Sequence, residues 1–111
     1  MSDITQARKA LVARILDGDG RASSGQRRAA FDNAGLGEPP RTLIDKVARQ
    51  AHAITDQDIA SAKEAGLSED QIFELAVCAA IGQATRQYDT AIAALEAAME
   101  ERSGHASHNP R

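Results

Sequence analysis

Apolar side chains recur at helical spacing along almost the whole chain. Residues 3–17 and residues 40–53 each carry a stripe of apolar positions at intervals of three and four. The segment from Ile72 to Ala84 is apolar nearly all round, which is typical of a central, fully buried helix. There is no sustained alternation of apolar and polar residues, the pattern of a strand. The sequence therefore predicts an all-α fold.

Helix start and stop signals divide this pattern into five helices. A Ser or Thr followed three positions later by a polar side chain marks the start of three of them, since each side chain can bond the other's backbone amide. These pairs are Ser23 and Gln26, Thr55 and Asp58, and Ser68 and Gln71. The predicted helices span residues 3–17, 24–34, 40–53, 56–65 and 69–101, in a single domain over residues 1–102 with a disordered tail over residues 103–111.

Gly82 lies in the middle of the longest predicted helix. Glycine costs about 1 kcal/mol relative to alanine inside an exposed helix. We expect close contact with a neighbouring helix, of this chain or of another subunit, to compensate for that cost.

The composition and charge of the chain argue against some classes of binding partner. The 111 residues carry a net charge of −3 with both signs interspersed, which provides no basic field for nucleic acid. No apolar run approaches the roughly 18 residues that a membrane span requires. The N-terminus lacks a signal-peptide pattern and Cys78 is the single cysteine, so a cytoplasmic location is predicted. No cofactor is implied.

The candidate chemistry lies on one strip of the longest helix. Glu74, Cys78 and Asp89 share this strip by their spacing. A carboxylate within an apolar stretch has a raised pKa, which makes Glu74 a candidate general base beside the Cys78 thiol. The candidate ligand-binding residues are Arg86, as an anion anchor, Asp89 and His52. The alternative, which the sequence favours, is that Glu74 lies at the outer edge of the helix, that Asp89 forms a structural ion pair and that Cys78 is an unreactive core residue.

No metal site is predicted. The segment Asp17–Gly20 begins like a calcium-binding loop, but loop positions 5, 6 and 12 do not hold the oxygen ligand, glycine and glutamate of an EF-hand. His105 and His108 are spaced to share a metal ion, yet no third ligand is near them in the sequence.

Two helix caps around a Gly-Leu turn resemble the C-terminal half of the carboxymuconolactone decarboxylase and alkylhydroperoxidase D superfamily. The similar segments are ITDQDI over residues 54–59, AGLSEDQIFEL over residues 65–75 and AAIG over residues 79–82, within a resemblance covering residues 40–100. It implies an all-helical domain of about five helices whose long helices pack across subunits into homo-oligomers, trimers or hexamers. Activities in the superfamily include thiol-dependent peroxide reduction and decarboxylation of a lactone.

The chain departs from the redox members of this superfamily. Those members carry Cys-x-x-Cys-x-x-x-His just before the turn, whereas residues 55–65 contain neither cysteine nor histidine. The resemblance therefore implies a member without the redox dithiol that binds or acts on a small organic molecule, with peroxidase-like or decarboxylase-like activity left open. The alternative is a non-enzymatic homo-oligomeric assembly or accessory protein whose long helix is mainly an interface.

Overall fold

A computed structural model describes residues 2–108 of the chain, and side chains over residues 3–102. This part of the chain contains helices and no strand, which confirms the predicted all-α class. The elements are α1 (Ser2–Asp17), α2 (Ser24–Asp32), α3 (Pro40–Arg49), a 3-10 turn (Ala51–Ala53), α4 (Asp56–Glu64) and α5 (Glu69–His108).

Two predicted helix ends differ most from the structure. The third helix ends at Arg49, because Gln50 leaves the helical region at φ −146°, and a separate 3-10 turn follows. The last helix runs to His108, beyond its predicted end at residue 101, while the disordered tail over residues 103–111 stays a prediction. The first proline after Arg102 is Pro110, and a helix usually ends at or before the residue preceding a proline. Residues 109–111 lie outside the described part.

The helix starts follow the predicted caps. The Ser23 and Thr55 hydroxyls each accept a hydrogen bond from the backbone three residues on, and the return bond is present in both pairs. At the start of α5, the Gln71 N–H donates to Ser68 Oγ at 3.1 Å and the Ser68 N–H donates to Gln71 Oε1 at 2.8 Å. These local bonds satisfy backbone donors that have no partner within the helix.

Left-handed residues end α2 and α4. Gly66 has φ 106°, its N–H donates to the Lys63 carbonyl, and the Leu67 N–H donates to the Ala62 carbonyl. This pair of bonds is a Schellman motif. The corresponding residue after α2 is Asn33 at φ 53°, since asparagine also tolerates this conformation, so α2 ends at Asp32 and not at the predicted residue 34.

The core lies along the first half of α5. α1 runs antiparallel to α5, because Arg8 meets Asp89 near one end and Ile15 lies beside Cys78 near the other. Two adjoining clusters form the core, one mainly under α1 and α2 and one under α3 and α4. The first contains Leu16, Ala22, Ala30, Ile44, Leu75, Cys78 and Ala79, and the second contains Leu43, Ala62 and Ile72.

α2 approaches α5 closely at Gly82. A Cβ atom placed on Gly82 would lie 2.9 Å from Phe31 Cα, 2.7 Å from its carbonyl carbon and closer still to the carbonyl oxygen. No real side chain tolerates such distances to backbone atoms. The expected close contact is therefore confirmed, and it is made within the chain.

The first half of α5 is buried on one side only. Leu75 and Ala79 are fully buried, whereas Phe73 is 69% exposed and Ala80 is also exposed. The prediction of a helix buried all round is therefore wrong for the single chain, because the other helices cover just one face of α5.

The second half of α5 projects from this body. A 40-residue α-helix is about 60 Å long, and the longest dimension of the molecule is 69 Å. The radius of gyration is 18.7 Å, against about 13 Å for a compact domain of this size. From Gln87 to Arg102, every side chain except that of Ile92 is exposed.

Candidate functional site

Glu74 binds the backbone of the loop that joins α1 to α2. Both carboxylate oxygens accept from the Arg21 N–H at 2.9 Å, and Oε1 also accepts from the Ala22 N–H at 2.9 Å. A Cβ atom on Gly20 would lie only 2.7 Å from Oε1, so glycine leaves the room that this carboxylate needs. Glu74 thus fixes the α1–α2 loop against α5.

The environment of Glu74 opposes the predicted role of general base. The N–H groups of Ala22 and Arg21 hold the pKa of the Glu74 carboxyl below its ordinary value, and the charges of Arg27 and Arg21 act in the same direction against desolvation. The expected raised pKa is therefore wrong, because hydrogen bonds to the charged form outweigh burial. A carboxylate stabilised in this way is a weaker base than a free one.

Arg27 completes a polar cluster beneath this loop. Its side chain is buried, with 7% of the residue exposed, and Nη1 donates to the carbonyls of Gly18 at 2.7 Å and Ile15 at 3.3 Å. These carbonyls belong to the C-terminal end of α1, which a cation stabilises. Arg27 was not among the residues predicted from the sequence, although it lies three positions from the buried Ala30 and so on the same face of α2.

Cys78 is a core residue next to the cluster. It is free and 1% exposed, and its thiol donates to the Ile15 carbonyl at 3.5 Å. Burial raises the pKa of the Cys78 thiol, with the charge of Arg27 opposing the shift and that of Glu74 adding to it. The thiol is therefore held in its protonated, unreactive form, which supports the core interpretation over the nucleophile.

Arg86 closes the C-terminal end of α2. Its Nη1 donates to the Phe31 carbonyl at 2.6 Å, and its Nη2 donates to Gln83 Oε1 at 3.1 Å. The guanidinium therefore holds α2 against α5 directly beside Gly82. These bonds occupy the group that the sequence proposed as an anion anchor.

Asp89 and His52 lie on different parts of the surface. Asp89 forms an ion pair with Arg8 of α1 at 2.6 Å, and the same guanidinium lies 5.2 Å from the centre of the Tyr88 ring. His52 is exposed in the 3-10 turn between α3 and α4, and no hydrogen bond within the described residues joins it to the strip. The structure therefore does not bring Glu74, Cys78, Arg86, Asp89 and His52 into one site.

The space beside Glu74 is small. A depression of about 160 Å³ lies between the end of α1 and the start of α5, and Phe73 and Val77 line its apolar part. Within residues 3–102, no group of three His, Cys, Asp or Glu side chains is arranged to hold a metal ion. The side chains of His105 and His108 lie outside that range.

Comparisons with protein-family models, with curated proteins and with solved structures gave no match. The resemblance to the decarboxylase and peroxidase superfamily therefore remains a prediction from the sequence. None of the helices in the described part of the chain is long and apolar enough to cross a membrane.

Apolar side chains on α1 and α5 remain exposed to solvent, and we call this surface the α1–α5 face. Tyr88, Ile92, Leu95 and Met99 follow at spacings of four, three and four, the heptad pattern of a helix seam. The exposed fractions are 42% for Tyr88, 56% for Leu95 and 58% for Met99. On the antiparallel α1, Ile4, 54% exposed, and Leu11, 46% exposed, are seven positions apart and therefore share one side of that helix.

A groove opens beside α1, near the point where α2 ends. It has a volume of about 360 Å³ and contains residues of α1, α2 and α5. We call it the basic groove, because three cations accompany its one carboxylate, Asp17. The lining residues are Arg8, Lys9, Val12, Ala13, Leu16, Asp17, Arg28, Phe31 and Thr85.

Proposed function

We propose that the chain is a non-enzymatic assembly module whose copies associate through the α1–α5 face. The observation that carries this proposal is the projecting half of α5, which presents Tyr88, Leu95 and Met99 in one row to solvent. Single exposed apolar residues are ordinary on a protein surface, whereas a continuous apolar row marks an interaction site.

The energetics favour association through this row. Burying a Leu or Met side chain completely contributes roughly 1.5–3 kcal/mol, and more than half of Leu95 and of Met99 is still exposed in the single chain. The chain between Tyr88 and Met99 is rich in alanine, including Ala91, Ala94 and Ala98. Small side chains allow two helices to approach closely, so the row is suited to a helical partner.

The exposure of the projecting helix supports the same conclusion. Most helical stability in proteins comes from packing of an amphipathic face and not from the intrinsic propensity of the residues. Residues 87–102 have almost no packing in the single chain. A partner along the α1–α5 face supplies the missing packing.

The enzymatic alternative has less support from the described contacts. Glu74 and Arg86, the proposed base and anion anchor, each bind backbone groups of the same chain. The depression beside Glu74 has about 160 Å³, whereas small-molecule pockets usually have roughly 300–1,000 Å³. A ligand site at the predicted strip therefore remains a sequence hypothesis.

Sedimentation equilibrium of matched variants tests the assembly proposal. We expect the wild-type chain to have at least twice its 11.8 kDa mass at micromolar concentration, and Leu95→Asp to have the mass of one chain. Ala97→Asp is the control, because Ala97 is exposed and lies on nearly the opposite side of α5.

Circular dichroism establishes that both variants stay helical. A wild-type chain that remains a single chain at micromolar concentration would overturn the proposal. Equal dissociation of Leu95→Asp and Ala97→Asp would do so as well.

A further inference from the structure

The basic groove carries two cations without a partner. Among residues 3–102, no hydrogen bond or ion pair engages the side chains of Lys9 and Arg28, whereas the third cation, Arg8, is paired with Asp89. The floor between them includes Val12 and Phe31. An apolar floor with unpaired positive charge at its edge suits an amphipathic, acidic segment.

The end of α5 is such a segment. Residues 95–102, which we call the acidic tip, combine the exposed Leu95 and Met99 with three carboxylates and one guanidinium, giving a formal charge of −2. None of these charged groups has an ion-pair partner among the described side chains. The charged residues are Glu96, Glu100, Glu101 and Arg102.

We infer that the basic groove of one copy receives the acidic tip of a second copy. This inference rests on the proposed function and specifies which surfaces meet. Lys9 and Arg28 face the partner's carboxylates, and the partner's Met99 contacts the apolar floor. Opposite charges select the pairing, while the apolar contacts supply most of its free energy.

If the groove of each copy receives the tip of the other, the two α5 helices must run antiparallel and be related by a two-fold axis. Thr85 in the groove and Met99 in the tip are fourteen positions apart on one helix, or about 21 Å. When Thr85 of each copy is level with Met99 of the other, Ile92, midway between them, lies at the axis. Each copy then contributes one groove and one tip, so the contact closes as a dimer.

A parallel pairing is disfavoured by charge. It places the two acidic tips side by side, with Glu96 and Glu100 of each copy near those of the other. Like charges at an interface oppose association. The antiparallel arrangement separates the tips and gives each one a cationic partner.

Charge reversal on each surface tests the inference. The groove variant is Lys9→Glu with Arg28→Glu, and the tip variant is Glu96→Lys with Glu100→Lys. We expect each variant alone to dimerise about tenfold or more weakly at low salt, because several attractive pairs become repulsive. An equimolar mixture should recover association near wild type, since the acidic groove then meets a basic tip and the basic groove meets an acidic tip.

Controls separate this test from a loss of folding. Arg41→Glu with Arg49→Glu makes the same charge change on α3, outside the groove, and should leave association unchanged. Each variant must also keep its circular dichroism spectrum and a Cys78 thiol that does not react in the native state.

The outcomes distinguish this inference from the proposed function. If Leu95→Asp abolishes association but the groove variant does not, the groove contact is overturned and the proposal of assembly through the α1–α5 face is retained. Two parallel tips repel equally at charges of −2 and +2. A tip variant that associates as tightly as wild type therefore indicates parallel helices and also overturns the inference, as does a mixture that fails to recover. A wild-type chain that stays monomeric overturns both proposals.

Discussion

Replacing Gly82 by alanine tests the close contact between α2 and α5. The added Cβ atom would lie 2.7 Å from the Phe31 carbonyl carbon and 2.9 Å from Phe31 Cα. Both are backbone atoms, so no side-chain rotation relieves the overlap. α2 must move away from α5.

The expected cost follows from three effects. Alanine gains about 1 kcal/mol over glycine in helix propensity, whereas forcing an extra methyl group into a packed site costs about 1–3 kcal/mol. Moving α2 also stretches the 2.6 Å hydrogen bond from Arg86 to the Phe31 carbonyl, and a bond to a charged group is worth about 1.5–3 kcal/mol. We expect Gly82→Ala to lower the free energy of unfolding by about 2 kcal/mol or more.

Urea unfolding followed by circular dichroism, at one fixed protein concentration, measures this change. Gly25→Ala is the matched control, because Gly25 is an exposed glycine of α2 whose added Cβ atom would approach only Ser23 Oγ, at 3.9 Å. The control should be unchanged or slightly more stable. A Gly82→Ala chain as stable as wild type would refute the close approach of α2 and α5.

Two further predictions concern the cluster beside the α1–α2 loop. The folded pKa of Glu74 lies below its ordinary 4.5, so this carboxylate stabilises the fold above that pH, and its contribution is lost as pH falls through the folded pKa. Glu74→Gln should therefore lower the free energy of unfolding by about 1–3 kcal/mol at neutral pH. In urea titrations, the difference between this variant and wild type should shrink as the pH is lowered. A difference that stays the same in acid would contradict this role. The buried Cys78 thiol, with its raised pKa, should resist a bulky thiol reagent until urea unfolds the chain, and stoichiometric labelling under native conditions would contradict its core position.

Local signals in the sequence predicted much of the helical framework. The caps at Ser23, Thr55 and Ser68 depend on residues three positions apart, so their spacing was sufficient to identify them. The tight position of Gly82 was also predictable, because glycine within a long helix needs a compensating contact. Its partner, Phe31, was not, since that contact joins separate helices.

The candidate site was less predictable, because its properties depend on contacts between distant segments. Helical spacing placed Glu74 and Cys78 on one strip, but it could not show that the α1–α2 loop supplies N–H groups to Glu74 and reverses the predicted pKa shift. The buried role of Arg27 depends on carbonyls at the end of α1, which lie on a different helix and are not visible in the spacing of α2. The sequence also identified α5 as an apolar helix without showing that one chain covers only one of its faces.

Hydrogen–deuterium exchange of residues 88–102 tests the central claim most directly. The single chain leaves this segment almost uncovered, so its amides are protected only by an exposed helix unless a second copy packs on it. We predict that protection of these amides rises with protein concentration, while that of the core segment 72–82 changes much less. Exchange of residues 88–102 that is equally fast at low and high concentration would contradict assembly through the α1–α5 face.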